Sequence, residues 1–270
     1  MIDVHTHLHP PRLFAAIRRW FADNSDWKLE HASDPHAVAA ALRGAGVSRF
    51  VFCSYAHKPG MAQELNAWLA ATSRQLDGYG LPLATVHLDD PSYARDARRA
   101  FEAGCIGLKI HENVQRLAVD DRRFDAVFES VVEAEGFVLA HIGAIPWIQD
   151  TNDGPGRVSE VLERHPRLRM VVAHMGVPDT LAYIALTARY PNLFLDTTMA
   201  FTSKDLRTVA TAADLERAGR CIVYGSDYPN IPYAYADDRR SLEALGLSDA
   251  ALAGIFGANA RRLSPALGGP

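Results

Sequence analysis

A short apolar run followed by a longer segment with helical spacing recurs eight times in this chain, and few folds absorb that order. The runs fall at 1–5, 50–55, 81–88, 105–110, 137–142, 168–174, 192–197 and 221–225. Helical periodicity occupies 61–76, 93–102, 123–135, 158–164, 180–190 and 206–218 between them. Strands this apolar on both faces belong to parallel sheets covered by helices. Eight β-then-α units in about 250 residues predict an α/β fold of the (β/α)8 barrel (TIM barrel) type, with a doubly wound open sheet as the alternative. No composition break interrupts the rhythm, so residues 1–270 read as one domain.

Punctuation supports this order. Gly44-Ala45-Gly46, Asp77-Gly78, Gly104, Gly136 and Gly219 stop helices, and Asp34-Pro35 and Asp90-Pro91 read as an N-cap with a first-turn proline. Two stretches depart from the repeat. Residues 8–35 form an extended β1–α1 excursion, with an amphipathic piece at 13–21 and the aromatic Trp27. It follows the first strand at the face where such barrels keep their chemistry, so it can roof a site there. Residues 248–263 add an extra C-terminal helical segment. The 152–156 stretch, Asn-Asp-Gly-Pro-Gly, lacks the Gly-Lys-Ser/Thr of a phosphate loop and reads as a turn.

The charge balance excludes several partners. There are 28 basic and 32 acidic residues, well mixed, for a net charge of −4, which gives no nucleic-acid footprint and no basic membrane patch. The longest stretch without Asp, Glu, Lys or Arg, 136–149, is too short to cross a membrane, and the chain begins with strand residues rather than a basic signal region. Cys53, Cys105 and Cys221 lie in or beside apolar runs, as buried free thiols of a reducing compartment do. A cytoplasmic protein with a small-molecule substrate is expected.

What closes each strand carries the chemistry. His5 and His7 close the first, and spacing by two puts both on one strand face, together with Asp3. His87 closes the third strand, Lys109 and His111 the fourth, His141 the fifth, His174 the sixth, Asp196 the seventh and Asp227 the eighth. Imidazoles and charges closing apolar runs are costly to bury unless they are paired or hold a metal. Imidazole and carboxylate ligands with one open position suit zinc or a similar divalent ion, which lowers the pKa of a water to near neutrality. His5, His7, His141 and Asp227 complete such a set, and His174, one strand away, can act on the water or the substrate oxygen. The blander readings are interior histidines satisfied by backbone carbonyls and Asp227 as a helix N-cap before Tyr228-Pro229. Lys109 either contacts substrate or pairs with a buried carboxylate such as Glu112 or Asp227. His111 and Trp147 are further substrate contacts, with Trp147 walling the pocket or simply packing.

As a set, these residues resemble the amidohydrolase superfamily: His-x-His on strand 1, Lys on strand 4, His on strands 5 and 6, and Asp on strand 8. Three segments are similar to the amidohydrolase-related branch, which includes aminocarboxymuconate semialdehyde decarboxylase and pyrone-dicarboxylate lactonase. They are Gly107-Leu108-Lys109-Ile110-His111, Tyr224-Gly225-Ser226-Asp227-Tyr228-Pro229 and the 255–263 stretch. The resemblance spans the whole chain and implies a barrel of the metallo-dependent hydrolase type. It implies His5, His7, His141 and Asp227 as ligands and His174 as a catalytic residue. Asp227 would also accept the proton of the attacking water. It leaves Lys109 open, as a carboxylated bridge between two ions or as a substrate contact beside one, and leans towards a homodimer.

The expected activity is hydrolysis of an ester, lactone or amide-type bond of a small carboxylated molecule at one zinc or manganese ion. The alternative is a lyase, in which the same centre decarboxylates an aromatic or dienoic acid held by Lys58 or Arg116. A barrel that binds metal or ligand without turnover is the remote third possibility.

Overall fold

The computed structural model describes residues 1–143 and 153–268. Eight strands run through it: β1 (Ile2–His7), β2 (Arg49–Cys53), β3 (Gly80–Pro82), β4 (Gly107–His111), β5 (Phe137–His141), β6 (Arg169–Val172), β7 (Leu193–Asp196) and β8 (Ile222–Val223). All pairings are parallel, in the orders β1-β2-β3 and β4-β5-β6-β7-β8. Backbone bonds bridge both seams of the (β/α)8 barrel. Ala84 N donates to Gly107 O at 2.8 Å and Lys109 N to Ala84 O at 2.8 Å on one side; Val4 N donates to Tyr224 O at 2.9 Å and His7 N to Tyr228 O at 2.8 Å on the other. Ile2, Val4, Val51, Leu83, Phe137, Leu139, Val171, Phe194 and Val223 pack together in one buried cluster.

Most strands are shorter than their apolar runs, and for one strand and one helix the shortening has an identifiable cause. The third strand, expected over 81–88, ends at Pro82 with a single bridge at Ala84. Beyond it the backbone of Thr85 bonds to a side chain instead of a neighbouring strand, giving its N–H to Asn66 Oδ1 (2.8 Å) and its carbonyl to Asn66 Nδ2 (2.9 Å). The helix expected over 206–218 begins only at Ala212, because Thr211 and Asp214 form a capping box there. Leu206 is released from the helix and lines the cavity described below.

Helix α1 (Pro11–Asn24) occupies the long excursion, and α2 (Pro35–Gly44) starts on the expected Asp34 cap, whose side chain accepts the Ala37 N–H. Helix α3 (Ala62–Gln75) precedes β3. Helix α4 (Tyr93–Glu102) follows Ser92 rather than starting at Asp90-Pro91, since Asp90 Oδ1 is taken by Gly60 N. The outer layer continues with α5 (Glu112–Gln115), α6 (Asp125–Glu133), α7 (Gly154–Arg164), α8 (Thr180–Arg189), α9 (Ala212–Ala218), α10 (Ala236–Glu243) and α11 (Asp249–Ala253). Gly154, Pro155 and Gly156, expected in a turn, form the first turn of α7, capped by Asp153 on Gly156 N at 2.8 Å. The C-terminal segment is helical as expected, with a wider turn at Gly254–Ala258 after α11.

Candidate metal centre

The strand ends meet around Asp227. Its Oδ1 lies 2.7 Å from His7 Nε2 and 3.2 Å from His5 Nε2. Lys109 Nζ stands 3.0 Å from His5 Nε2, and His174 Nε2 stands 3.1 Å from His141 Nδ1. His5, His174 and Asp227 each offer a ligand atom within 4.8 Å of the others, and His5, His7 and Cys53 form a second such group. The expected ligands therefore share one site, with one difference in order. His174, expected only to act on water or substrate, falls in the tight group, while His141 reaches it through His174.

Hydrogen positions follow from the partners. Asp196 Oδ2 can only accept, so His5 Nδ1, at 2.9 Å, carries the hydrogen and Nε2 keeps a lone pair. Thr198 O, 3.2 Å from His174 Nδ1, fixes His174 in the same form. His141 Nδ1 then donates to the bare His174 Nε2. Burial lowers the pKa of His174, His141 and His111, the last two well below the usual imidazole value, and brings His5 down to about 4 with help from Lys109. These neutral imidazoles are in the form that binds metal.

His7 behaves differently. Burial works against its charged form, but Asp227, which accepts from Nε2 at 2.7 Å, outweighs it and holds the pKa above the ordinary imidazole value. Burial also opposes ionisation of Asp227 and Asp196. His7 and His5 hold Asp227 well below the carboxylate range, and His5 and His174 hold Asp196 below it. Without a cation, His7 is the counter-ion of Asp227; a divalent ion can take over that role. The bare nitrogens of His5 and His174, a displaceable proton on His7 and a carboxylate suit zinc or manganese.

The backbone here is held out of its easy conformations. His174 (φ 55°) and Asp227 (φ 63°) both sit in the left-handed region, at roughly 1–2 kcal/mol each. Each is anchored by another site residue: His174 N donates to Asp196 Oδ1 at 2.9 Å, and Asp227 N to His5 O at 2.7 Å. Gly225 allows the close approach, since a Cβ there would lie 2.4 Å from Thr198 Oγ1 and 2.8 Å from His5 Cβ.

A cavity of about 760 Å³ opens above this floor. Leu13, Ile17, Trp20 and Phe21 of α1 line it, so the excursion does roof the site. Lys109, His111, Lys58 and Arg116 line it too. The ring of His111 stacks on His141 (centroids 4.1 Å apart), and its buried Nδ1 has no hydrogen-bond partner among the described residues. Trp147 lies outside the described residues.

Several residues depart from expectation. Lys109 does not pair with Glu112, whose carboxylate takes Val119 N (2.6 Å) and Arg157 (3.1 Å). Asp3 is buried rather than solvated and stands behind the cluster: it accepts from His5 N (3.1 Å), Ser226 (2.6 Å) and Tyr235 (3.0 Å), and the register of β1 slips by one residue between it and Thr6. Asp196 closes a strand in the sequence, but only its contacts reveal that it orients His5 and His174. Cys53 gave no signal beyond its apolar run.

A (β/α)8 barrel with histidines and a carboxylate at its C-terminal mouth defines a class of barrel with a candidate metal centre. A family profile described as Amidohydrolase matches residues 2–264, and the chain belongs to that family. A comparison with curated proteins returns no match. Among solved structures, the chain is similar to an uncharacterised TIM-barrel protein from Bordetella bronchiseptica (19% identity, 100% of both chains, TM-score 0.75). It is similar to a probable 2-pyrone-4,6-dicarboxylic acid hydrolase from Acinetobacter baumannii with citric acid bound (13% identity, 99% of both chains, TM-score 0.66). It is also similar to 5-carboxyvanillate decarboxylase from Novosphingobium aromaticivorans, complexed with manganese and 4-hydroxy-3-methoxy-5-nitrobenzoic acid. That match has 16% identity, 97% of this chain, 95% of the other and a TM-score of 0.67.

Proposed function

We propose that this protein is a metal-dependent hydrolase that cleaves an ester, lactone or amide-type bond of a small carboxylated molecule. The observation that carries this reading is the convergence of imidazole nitrogens on Asp227 at the floor of the cavity, with those of His5 and His174 bare. His5, His7, His141 and Asp227 would hold one divalent ion, zinc or manganese; manganese is the ion of the solved decarboxylase complex. Such an ion supplies Lewis acidity and makes a water acidic near neutral pH.

The remaining work falls to this chain's own groups. Asp227 receives the proton of the attacking water. His174, neutral and bare at Nε2, first takes up that proton as a base; as imidazolium it then stabilises charge on the substrate oxygen or protonates the leaving group. Lys109 contributes a fixed cation beside the reacting carbonyl, and His111 Nδ1 offers a hydrogen bond to substrate. We place this activity in the cytoplasm, and a homodimer is the assembly to test. No helix among the described residues is long and apolar enough to cross a membrane.

Lys58 and Arg116 on the cavity wall favour a second reading, decarboxylation of an acid whose carboxylate they orient. Turnover of candidate lactones and aromatic acids in ¹⁸O-labelled water separates the two. Hydrolysis places one solvent oxygen in the product acid. Release of CO₂ with an unlabelled organic product establishes the lyase and overturns the hydrolase.

A further inference from the structure

The imidazoles at the floor differ in what holds their far nitrogen. His5 leans on a carboxylate and His174 on a backbone carbonyl. His7 leans on sulfur: Cys53 Sγ lies 3.6 Å from His7 Nδ1 and 3.4 Å from Thr6 O. The contact is built into the sheet, because the parallel register sets His7 directly opposite Cys53. Cys53 is fully buried and packs with the interior cluster, so its side chain has little room to turn away.

We infer that Cys53 is a positioning residue for the metal centre, fixing through its thiol which nitrogen of His7 faces the ion. The inference rests on the metal-dependent reading above. Thr6 O can only accept, so the Cys53 S–H is committed to it. The sulfur lone pair is then what faces His7, and His7 Nδ1 must carry hydrogen. The nitrogen left to face an ion is then Nε2, the one turned towards Asp227 at 2.7 Å. The chain Thr6 O, Cys53 S–H, His7 Nδ1–H fixes the ring as a carboxylate would, without adding a second buried negative charge next to Asp227. Partners of this outer kind orient ligand imidazoles, and their loss typically costs about 10- to 100-fold in metal affinity.

The test uses the full-length protein, stripped with chelator and titrated with zinc against a competing indicator. Wild type is compared with Cys53→Ser and Cys53→Ala, and the Tm of each metal-free protein is recorded. Wild type should bind one equivalent of zinc, Cys53→Ala should bind it about 10-fold or more weakly, and Cys53→Ser should recover part of the loss. Affinity in Cys53→Ala equal to wild type overturns the role of Cys53, as does a loss of Tm without loss of affinity. Failure of wild type itself to take up zinc or manganese instead overturns the metal reading. If the variants do not fold, long-range ¹H–¹⁵N NMR of zinc-loaded, histidine-labelled wild type decides. Hydrogen on His7 Nδ1 with Nε2 coordinated supports the inference, and the reverse assignment refutes it.

Discussion

His5 Nδ1 donates to Asp196 Oδ2 at 2.9 Å, joining the first residue of the His-x-His pair to the last residue of β7 through two fully buried side chains. The same carboxylate takes the backbone N–H groups of His174 (2.9 Å) and Thr198 (3.1 Å) on its other oxygen. One side chain thus sets the tautomer of a ligand and the position of the proposed acid–base residue.

Asp196→Asn is therefore far from conservative. The amide oxygen must stay with the N–H groups of His174 and Thr198, which turns the NH₂ towards His5 Nδ1. Nδ1 then has to accept, its hydrogen moves to Nε2, and the lone pair facing Asp227 is lost. Metal affinity should fall about 10- to 100-fold while the circular dichroism spectrum stays that of wild type. Calorimetric titration with zinc checks this, and unchanged affinity would refute the role given to Asp196.

Metal uptake should release a proton. His7 is held above the ordinary imidazole value by Asp227, so it is protonated at neutral pH in the metal-free protein, and a cation must displace that proton. Affinity should rise with pH, by up to about tenfold per unit, as long as the pH stays below the His7 pKa. Titrations at pH 7.5 in buffers of different ionisation enthalpy should report about one proton released per ion bound.

Lys109→Met separates one-ion from two-ion chemistry. Its amine lies 3.0 Å from His5 Nε2 and lines the cavity. One equivalent of metal in both proteins, with kcat/KM reduced at least about tenfold in the variant, is the expected result. Two equivalents falling to one would instead make Lys109 a bridge between ions.

Asp238 provides a test of stability away from the floor. Burial raises its carboxyl to about 7, partly offset by hydrogen bonds from Thr202 and from Tyr233, the latter at 3.0 and 3.1 Å. A carboxyl that binds its proton more tightly folded than unfolded makes stability fall as pH rises from about 4 to about 7. Asp238→Asn removes that slope and should gain about 1–3 kcal/mol on wild type between pH 5 and pH 8. Urea unfolding at the two pH values measures it.

Much of this was legible in the sequence because parallel strands buried on both faces write themselves as apolar runs. Polar residues ending such runs, from His5 to Asp227, stood out for the same reason. The left-handed backbone at His174 and Asp227, the register slip in β1 and the sulfur behind His7 were not legible. Each depends on which strand lies alongside, and the pattern of one strand does not carry that. Leu206 shows the limit in the other direction: its helical spacing was real, but the Thr211 cap starts the helix later and leaves Leu206 on the cavity wall.

Elemental analysis of the purified protein beside Asp227→Ala bears most directly on the central claim. Wild type should carry close to one equivalent of zinc or manganese, and the variant, with the carboxylate shared by His5 and His7 removed, should carry almost none. A wild-type protein that holds no divalent ion after exposure to either metal, or a variant that holds as much as wild type, would contradict the account.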